Sequence, residues 1–145
     1  MSQLQQRAVT GECALWSFDV AGFCFTPCVP YAWQPIGEVS AVPTSSHGRR
    51  VHVLGLLQRN NARVPYGVEG KIDTSVLVEC CEQLSQQLDK RTDVFLDTAP
   101  VHRSREFVAH IAQWVKRGLM VKYVPSYAPE LNLIEILWRC MKYDW

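Results

Sequence analysis

Residues 73–124 alternate between helical and strand-like patterns, and this alternation constrains the fold more than any other feature of the sequence. N-cap candidates at 73–75 precede apolar residues at helical spacing, and a second helical pattern spans 104–117, ended by Gly118. Short apolar runs at 93–97 and 119–124 follow these helices. Strands that alternate with helices usually pair in parallel, so this half of the chain predicts two parallel strands.

The first half of the chain has strand patterns instead. Residues 15–25 (LWSFDVAGFCF) are apolar and aromatic around one aspartate, and residues 50–58 alternate as a half-buried strand does. A short edge or hairpin strand is predicted at 31–33, between prolines. With a last helix carrying Glu135, we predict an α/β fold: a mixed five-stranded sheet, three antiparallel plus two parallel strands, flanked by helices.

The composition fits a single packed domain over residues 1–145. The chain is 48% hydrophobic and 20% charged, which excludes a charge-rich disordered protein. The formal net charge of +1 gives no basic excess, so DNA binding would need local positive patches or a separate basic module. The amino terminus is polar and no stretch is long enough to span a bilayer, so we expect a cytoplasmic protein with no membrane partner.

Three acids lie where metal-dependent chemistry would need them. Asp19 is inside an apolar strand pattern, Asp97 ends another, and Glu135 is on a helix able to lie over both. Buried carboxylates require a cation or strong hydrogen-bond donors nearby, and two divalent ions would satisfy them while clamping a phosphodiester. Each acid also has a structural explanation. Asp19 could be an ordinary strand-end acid and Asp97 could start a turn, while Glu135 could pair with Arg139 or close a capping box with Asn132.

The resemblance of three segments to a known family favours the metal-dependent interpretation. The stretches LWSFDVAGFCFTPCVPYAWQPIGE, LDTAPVHRS and KYVPSYAPELNLIEILWRCMKYDW resemble, in order, the acid-bearing motifs of the mariner-like DDE transposases, in their bacterial insertion-sequence branch. The run PSYAPELNLIEILW is the most specific part. The resemblance implies an RNase H-like, retroviral integrase-type fold.

The same resemblance implies the activity and its partners. The family's catalytic and metal-binding triad corresponds to Asp19, Asp97 and Glu135, which would hold two Mg²⁺ (or Mn²⁺) ions. The implied reaction is cleavage at transposon ends followed by strand transfer into target DNA. Transposon-end and target DNA are the expected partners, together with a homodimer or an assembly with full-length transposase, at the nucleoid of a bacterial cytosol.

Four further residues are candidates for DNA contact or for support of the metal ligands. His102 matches a family position and would contact phosphate or orient a ligand, although it is equally compatible with capping the next helix. Thr98 stands where the family has asparagine, Asn132 belongs to the third motif, and Arg139 follows Glu135 by one helical turn. Val20 replaces a family glutamate, which would alter a contact around the metal ligands more than metal binding itself.

The amino-terminal helix-turn-helix region that the family uses to read transposon ends is expected to be absent from these 145 residues. We therefore weigh an active catalytic domain against two alternatives. One is an inactive, truncated remnant that folds without catalysis. The other is a different RNase H-like nuclease, which would share the acids but lack the PSYAPELN run.

Overall fold

The computed structural model describes residues 2–24, 35–37, 50–60, 62–125 and 133–143. Helix α1 (Ser2–Val9) precedes three strands, β1 (Cys13–Cys24), β2 (Arg50–Gln58) and β3 (Arg63–Glu69). Helix α2 (Thr74–Gln86), strand β4 (Arg91–Leu96), a 3₁₀ helix (Pro100–Arg103), helix α3 (Arg105–Lys116) and strand β5 (Leu119–Tyr123) follow. Helix α4 (Leu133–Tyr143) is the last element.

The strands form one mixed sheet in the order β3-β2-β1-β4-β5. The pairs β1/β2 and β2/β3 are antiparallel, whereas β1/β4 and β4/β5 are parallel. This arrangement confirms the predicted sheet of three antiparallel and two parallel strands. The long strand β1 lies at its centre and pairs with both halves.

The antiparallel part of the sheet contains β3, a strand that the sequence patterns did not predict. The strand predicted at 31–33 lies outside the described residues and stays a prediction. Pro65 lies within β3, which is tolerated because β3 is an edge strand with one side unpaired. Helix α1 was also not predicted, because its sequence is polar.

Local sequence signals set the ends of the two central helices. The Asp73 carboxylate accepts a hydrogen bond from the Val76 N–H at 3.1 Å and begins α2. The Ser104 hydroxyl accepts one from the Phe107 N–H at 3.2 Å and begins α3. Gly118 follows α3 with a φ of +97°, a conformation that costs glycine little and lets the chain turn into β5.

Apolar side chains cover both faces of the sheet. Helices α2 and α3 pack on one face, where the buried residues are Phe18, Leu54, Leu56, Leu77, Cys80, Cys81, Leu84, Val94, Leu96, Phe107, Trp114 and Leu119. On the other face, Ile134 and Trp138 of α4 pack with Ala21 of β1. None of the helices in the described part of the chain is both long and apolar enough to cross a membrane.

Candidate active site

Asp19 and Asp97 reach the same level of two neighbouring strands. Strands β1 and β4 run in parallel, with Ser17 beside Phe95 at the end of their ladder. Asp19 and Asp97 each follow these partners by two residues, which is one repeat of the strand pleat. The register therefore brings Asp97, directly after the end of β4, to the position beside Asp19 of β1.

Glu135 belongs to the helix that covers this face. Helix α4 contacts β1 and β2, and its buried residues Ile134 and Trp138 lie next to Glu135 and one turn beyond it. Glu135 itself is exposed, so its carboxylate does not enter the apolar contact. Packing of the helix thus holds the third acid above the sheet without burying it.

The pKa of Asp19 responds to both of the other acids. Burial is the main cause that raises the pKa of Asp19 to about 6, and a hydrogen bond with the Val20 backbone opposes it. The negative charges of Asp97 and Glu135 raise the pKa further, whereas His102 lowers it. Mutual repulsion among carboxylates is the condition that a bound cation relieves.

Asp97 is held in one orientation by the turn that follows it. Its Oδ1 atom accepts a hydrogen bond from the Ala99 N–H at 3.0 Å and another from His102 Nδ1 at 2.6 Å. His102 Nδ1 also faces the Asp97 carbonyl oxygen at 3.2 Å. Because both partners of Nδ1 are acceptors, this nitrogen carries the proton. Within the described ranges of the chain, these hydrogen bonds go to Oδ1 and leave Oδ2 available to a ligand.

His102 is itself fixed by its surroundings. Its side chain is 3% exposed, and its ring lies at centroid distances of 5.7 Å from Phe18 and 6.1 Å from Phe107. The Tyr123 hydroxyl donates a hydrogen bond to the His102 carbonyl oxygen at 2.7 Å. A ring this buried does not reach a phosphate from its present position. The capping alternative is wrong, because Ser104 caps α3.

The residues present fit a divalent cation in their chemistry. Carboxylate oxygens are the ligands that Mg²⁺ and Mn²⁺ prefer, and the negative charges of Asp97 and Glu135 both act on Asp19. Among the described residues, no three His, Cys, Asp or Glu side chains are already close enough to enclose an ion. Binding would therefore require side-chain movement, for which the exposed Glu135 has room, whereas Asp97 is already oriented by its hydrogen bonds.

The other predicted residues are Thr98, Arg139 and Asn132. Thr98 is exposed in the turn directly after Asp97, and Arg139 is exposed on α4, one turn beyond Glu135. Asn132 lies outside the described residues, as does most of the PSYAPELN run. The structure thus brings His102 into direct contact with a triad acid and places Thr98 beside one.

Two residues near the site were not singled out by the sequence analysis. Tyr123 ends β5 and secures the His102 backbone, a role for which the sequence holds no evident signal. Gly55 pairs with Asp19 across β1 and β2. An isolated glycine within an apolar strand pattern is a known sign of close approach by another element, so that signal was present in RVHVLGLLQ.

Comparison with protein families places the chain in one of them. Residues 14–145 match the family model described as DDE superfamily endonuclease. The chain therefore belongs to the DDE superfamily of endonucleases. A comparison with curated protein sequences finds no match.

Solved structures with a similar fold include DNA transposition and integration complexes. The Mos1 mariner paired-end complex with Mn aligns with a TM-score of 0.72 at 14% identity, over 99% of this chain and 45% of that one. The Mos1 transposase paired-end complex with left transposon end aligns at 0.66 and 12% identity, over 99% and 48%. A simian T-cell lymphotropic virus intasome in complex with a PP2A regulatory subunit aligns at 0.56 and 14% identity, over 86% and 36%. The fold is therefore RNase H-like, of the integrase type, and the chain spans less than half the length of these proteins.

Proposed function

We propose that this chain is the catalytic domain of a DNA transposase, with Asp19, Asp97 and Glu135 as its metal-binding and catalytic acids. The proposed reaction is hydrolysis of a phosphodiester at a transposon end, followed by attack of the freed 3′-hydroxyl on target DNA. Membership of the DDE endonucleases supports the class of reaction. The placement in the mariner-like, bacterial branch rests on the sequence motifs and stays a prediction.

One observation carries the proposal: two acids from separate elements, Asp97 and Glu135, lie near enough to the part-buried Asp19 for their charges to act on it. The charges of Asp97 and Glu135 both act on Asp19 and raise its pKa. Acids that served only solubility would not need to lie close enough for their negative charges to repel one another. Perturbed carboxylates that converge from different elements are typical of functional sites.

The three acids would hold two Mg²⁺ or Mn²⁺ ions, which when bound would lower the pKa of an attacking water and stabilise charge on the phosphorus. The protein's own contribution is geometric. His102 and the Ala99 N–H fix Asp97 through Oδ1, so Oδ2 keeps a constant direction. Strand β1 fixes Asp19, and the packing of α4 fixes Glu135. Such preorganisation limits the reorganisation needed when substrate binds.

The proposed partners follow from the same reaction. DNA is the substrate, both as transposon end and as target, and two ends must be brought together by a homodimer or by an assembly with full-length transposase. The similar Mos1 structures are paired-end and strand-transfer complexes, which supports this kind of assembly. A cytoplasmic location beside the nucleoid stays a prediction.

A metal titration combined with a strand-transfer assay tests the proposal. We expect the wild-type chain to bind Mn²⁺ in calorimetry and to nick or join DNA that already carries an exposed transposon end. Asp97→Asn should abolish both signals because it removes a ligand charge while keeping the side-chain shape. Asp89→Asn is the matched control, since Asp89 is an exposed acid just before β4.

The two alternatives predict different results in the same assay. A folded, inactive remnant would neither bind Mn²⁺ with the triad nor process DNA. A different RNase H-like nuclease would bind Mn²⁺ and cut, but would not join a 3′-hydroxyl to a second DNA. Loss of activity in Asp89→Asn equal to that in Asp97→Asn would contradict the assignment of the site.

A further inference from the structure

Gly55 occupies the position in the sheet on which helix α4 rests. It lies in the middle of β2, where its Cα pairs with Asp19 of β1 on one side and Pro65 of β3 on the other. Directly opposite residues of an antiparallel pair project to the same face of a sheet. The site that a Gly55 side chain would fill is therefore on the same face as the Asp19 carboxylate.

No side chain fits at this position. A Cβ atom added to Gly55 would lie 2.7 Å from Ile134 Cδ1 and 2.8 Å from Trp138 Cη2, and Trp138 Cζ2 is closer still. Carbon atoms in ordinary contact are about 3.5–4.0 Å apart, so α4 would have to retreat by about 1 Å. By contrast, a Cβ atom added to Gly67, on neighbouring strand β3, would have no heavy atom within 4 Å.

The two α4 residues cannot simply turn aside. Ile134 is 1% exposed and Trp138 is 7% exposed, both packed against Ala21. The Trp138 ring also meets the Phe23 ring edge-on at a centroid distance of 6.0 Å. Close-packed interiors offer little free volume for an alternative rotamer. Extra volume at position 55 is therefore transmitted to the helix backbone.

The helix that would move carries Glu135. Ile134 immediately precedes Glu135, and Trp138 follows it by one helical turn, so both contacts with Gly55 bracket the acid. Asp19, with which Glu135 interacts electrostatically, is the direct partner of Gly55 in the sheet. A single position thus sets the depth of the helix beside Glu135 and next to Asp19 in the sheet.

We infer that Gly55 is a positioning residue for the metal site: its missing side chain lets α4 approach β2 closely enough for Glu135 to share a cation with Asp19. This inference rests on the proposed function of the triad. Gly55 itself touches neither substrate nor metal. Its effect passes through Ile134 and Trp138.

The test measures Mn²⁺ affinity of the full chain by calorimetry in Gly55→Ala and in the control Gly67→Ala. Both changes replace a strand glycine by the same residue, but only position 55 contacts α4. We expect Gly55→Ala to weaken Mn²⁺ binding by roughly tenfold or more, the usual effect of disturbing the support of metal ligands, and Gly67→Ala to leave it unchanged. Equal affinity in wild type and Gly55→Ala would overturn the inference, as would an equal loss in Gly67→Ala.

A relieved variant separates positioning from a general folding defect. Gly55→Ala combined with Ile134→Val and Trp138→Phe removes the three atoms that a Cβ at position 55 would meet. We expect this variant to fold and to recover Mn²⁺ affinity to within a few-fold of wild type. Recovery of the fold without recovery of Mn²⁺ binding would overturn the inference, even if Gly55→Ala alone did not fold.

A structural readout keeps this inference distinct from the proposed function. Nuclear Overhauser effects between the Ile134 δ1 methyl group and Ala21 report the depth of α4 without any metal. We expect them to weaken in Gly55→Ala and to persist in Gly67→Ala. If wild type bound no Mn²⁺, the proposed function would fail, but the Ile134–Ala21 contacts would still decide whether Gly55 sets the helix position. Unchanged contacts in Gly55→Ala would overturn the positioning role.

Discussion

At the scale of single residues, Asp19 carries a carboxyl group whose ionisation weakens the metal-free fold. Its pKa is raised from 3.8 to about 6, chiefly by burial. As pH rises, the unfolded chain releases this proton first, so the folded state binds more protons between these two values. The contribution of Asp19 to stability is therefore present at low pH and lost as pH rises from about 4 to about 6.

Asp19→Asn should consequently stabilise the metal-free protein at pH 7. We expect a gain on the order of 1–2 kcal/mol in the free energy of unfolding, after allowance for the partial exposure of the group. Urea denaturation between pH 4 and pH 8 measures the effect, with Asp89→Asn as control. Equal stability of wild type and Asp19→Asn at pH 7 would contradict this expectation. So would a stability advantage of Asp19→Asn that shrinks as pH rises from 4 to 8.

His102 provides the second test at this scale. The His102→Asn substitution keeps a donor near the position of Nδ1, whereas His102→Leu keeps an apolar volume and removes the donor to Asp97. We expect His102→Leu to weaken Mn²⁺ binding by roughly tenfold or more and His102→Asn to weaken it less. Calorimetric titration measures both, and a histidine needed only to fill space would give the opposite order.

At the scale of elements, the turn from β4 to α3 joins the site to the body of the fold. The Ser104 hydroxyl caps α3 and also donates a hydrogen bond to the Val101 carbonyl oxygen at 3.1 Å, within the 3₁₀ helix that holds His102. Loss of an N-cap hydroxyl costs about 1 kcal/mol. This turn therefore couples the stability of a helix to the position of His102.

We expect Ser104→Ala to lower the midpoint of thermal unfolding by about 3 °C for a chain of this length. Ser104→Asp keeps a capping oxygen at the helix N-terminus and should retain most of the stability. Differential scanning calorimetry compares the three proteins. An unchanged midpoint in Ser104→Ala would show that the cap contributes nothing to the fold.

The elements differ in how far the sequence predicted them. Helices α2 and α3 and strands β4 and β5 were predicted because each has a regular apolar period and a recognisable end, such as Asp73 or Gly118. Strand β3 was missed although Val64, Tyr66 and Val68 alternate, because Pro65 and Gly67 obscured the pattern. Only the position of β3 at the sheet edge explains why that proline is tolerated.

The residues and contacts of the candidate site also differ in how far the sequence predicted them. Asp19, Asp97 and Glu135 were selected by their motifs, and the parallel register of β1 and β4 then accounts for the proximity of the first two. The contact between His102 and Asp97 spans five residues and depends on the local turn. The close approach of Trp138 to Gly55 joins positions that are far apart in the chain, and sequence spacing cannot predict such a contact.

At the scale of the whole molecule, charge limits what this chain can do with DNA. A net charge of +1 supplies little of the general electrostatic attraction on which DNA affinity depends. We expect the 145-residue chain alone not to select terminal inverted repeats over unrelated DNA of equal length. A band-shift competition assay measures this, and preferential binding to the repeats would show that the domain reads sequence by itself.

Three carboxylates would hold the ions on which the proposed reaction depends. Crystals of the protein soaked in Mn²⁺ and measured at the manganese absorption edge locate those ions directly. We predict anomalous density in contact with Asp19, Asp97 and Glu135, at the metal–oxygen distances of about 2 Å that such ions adopt. Manganese bound elsewhere while these three acids remain unoccupied would contradict the account.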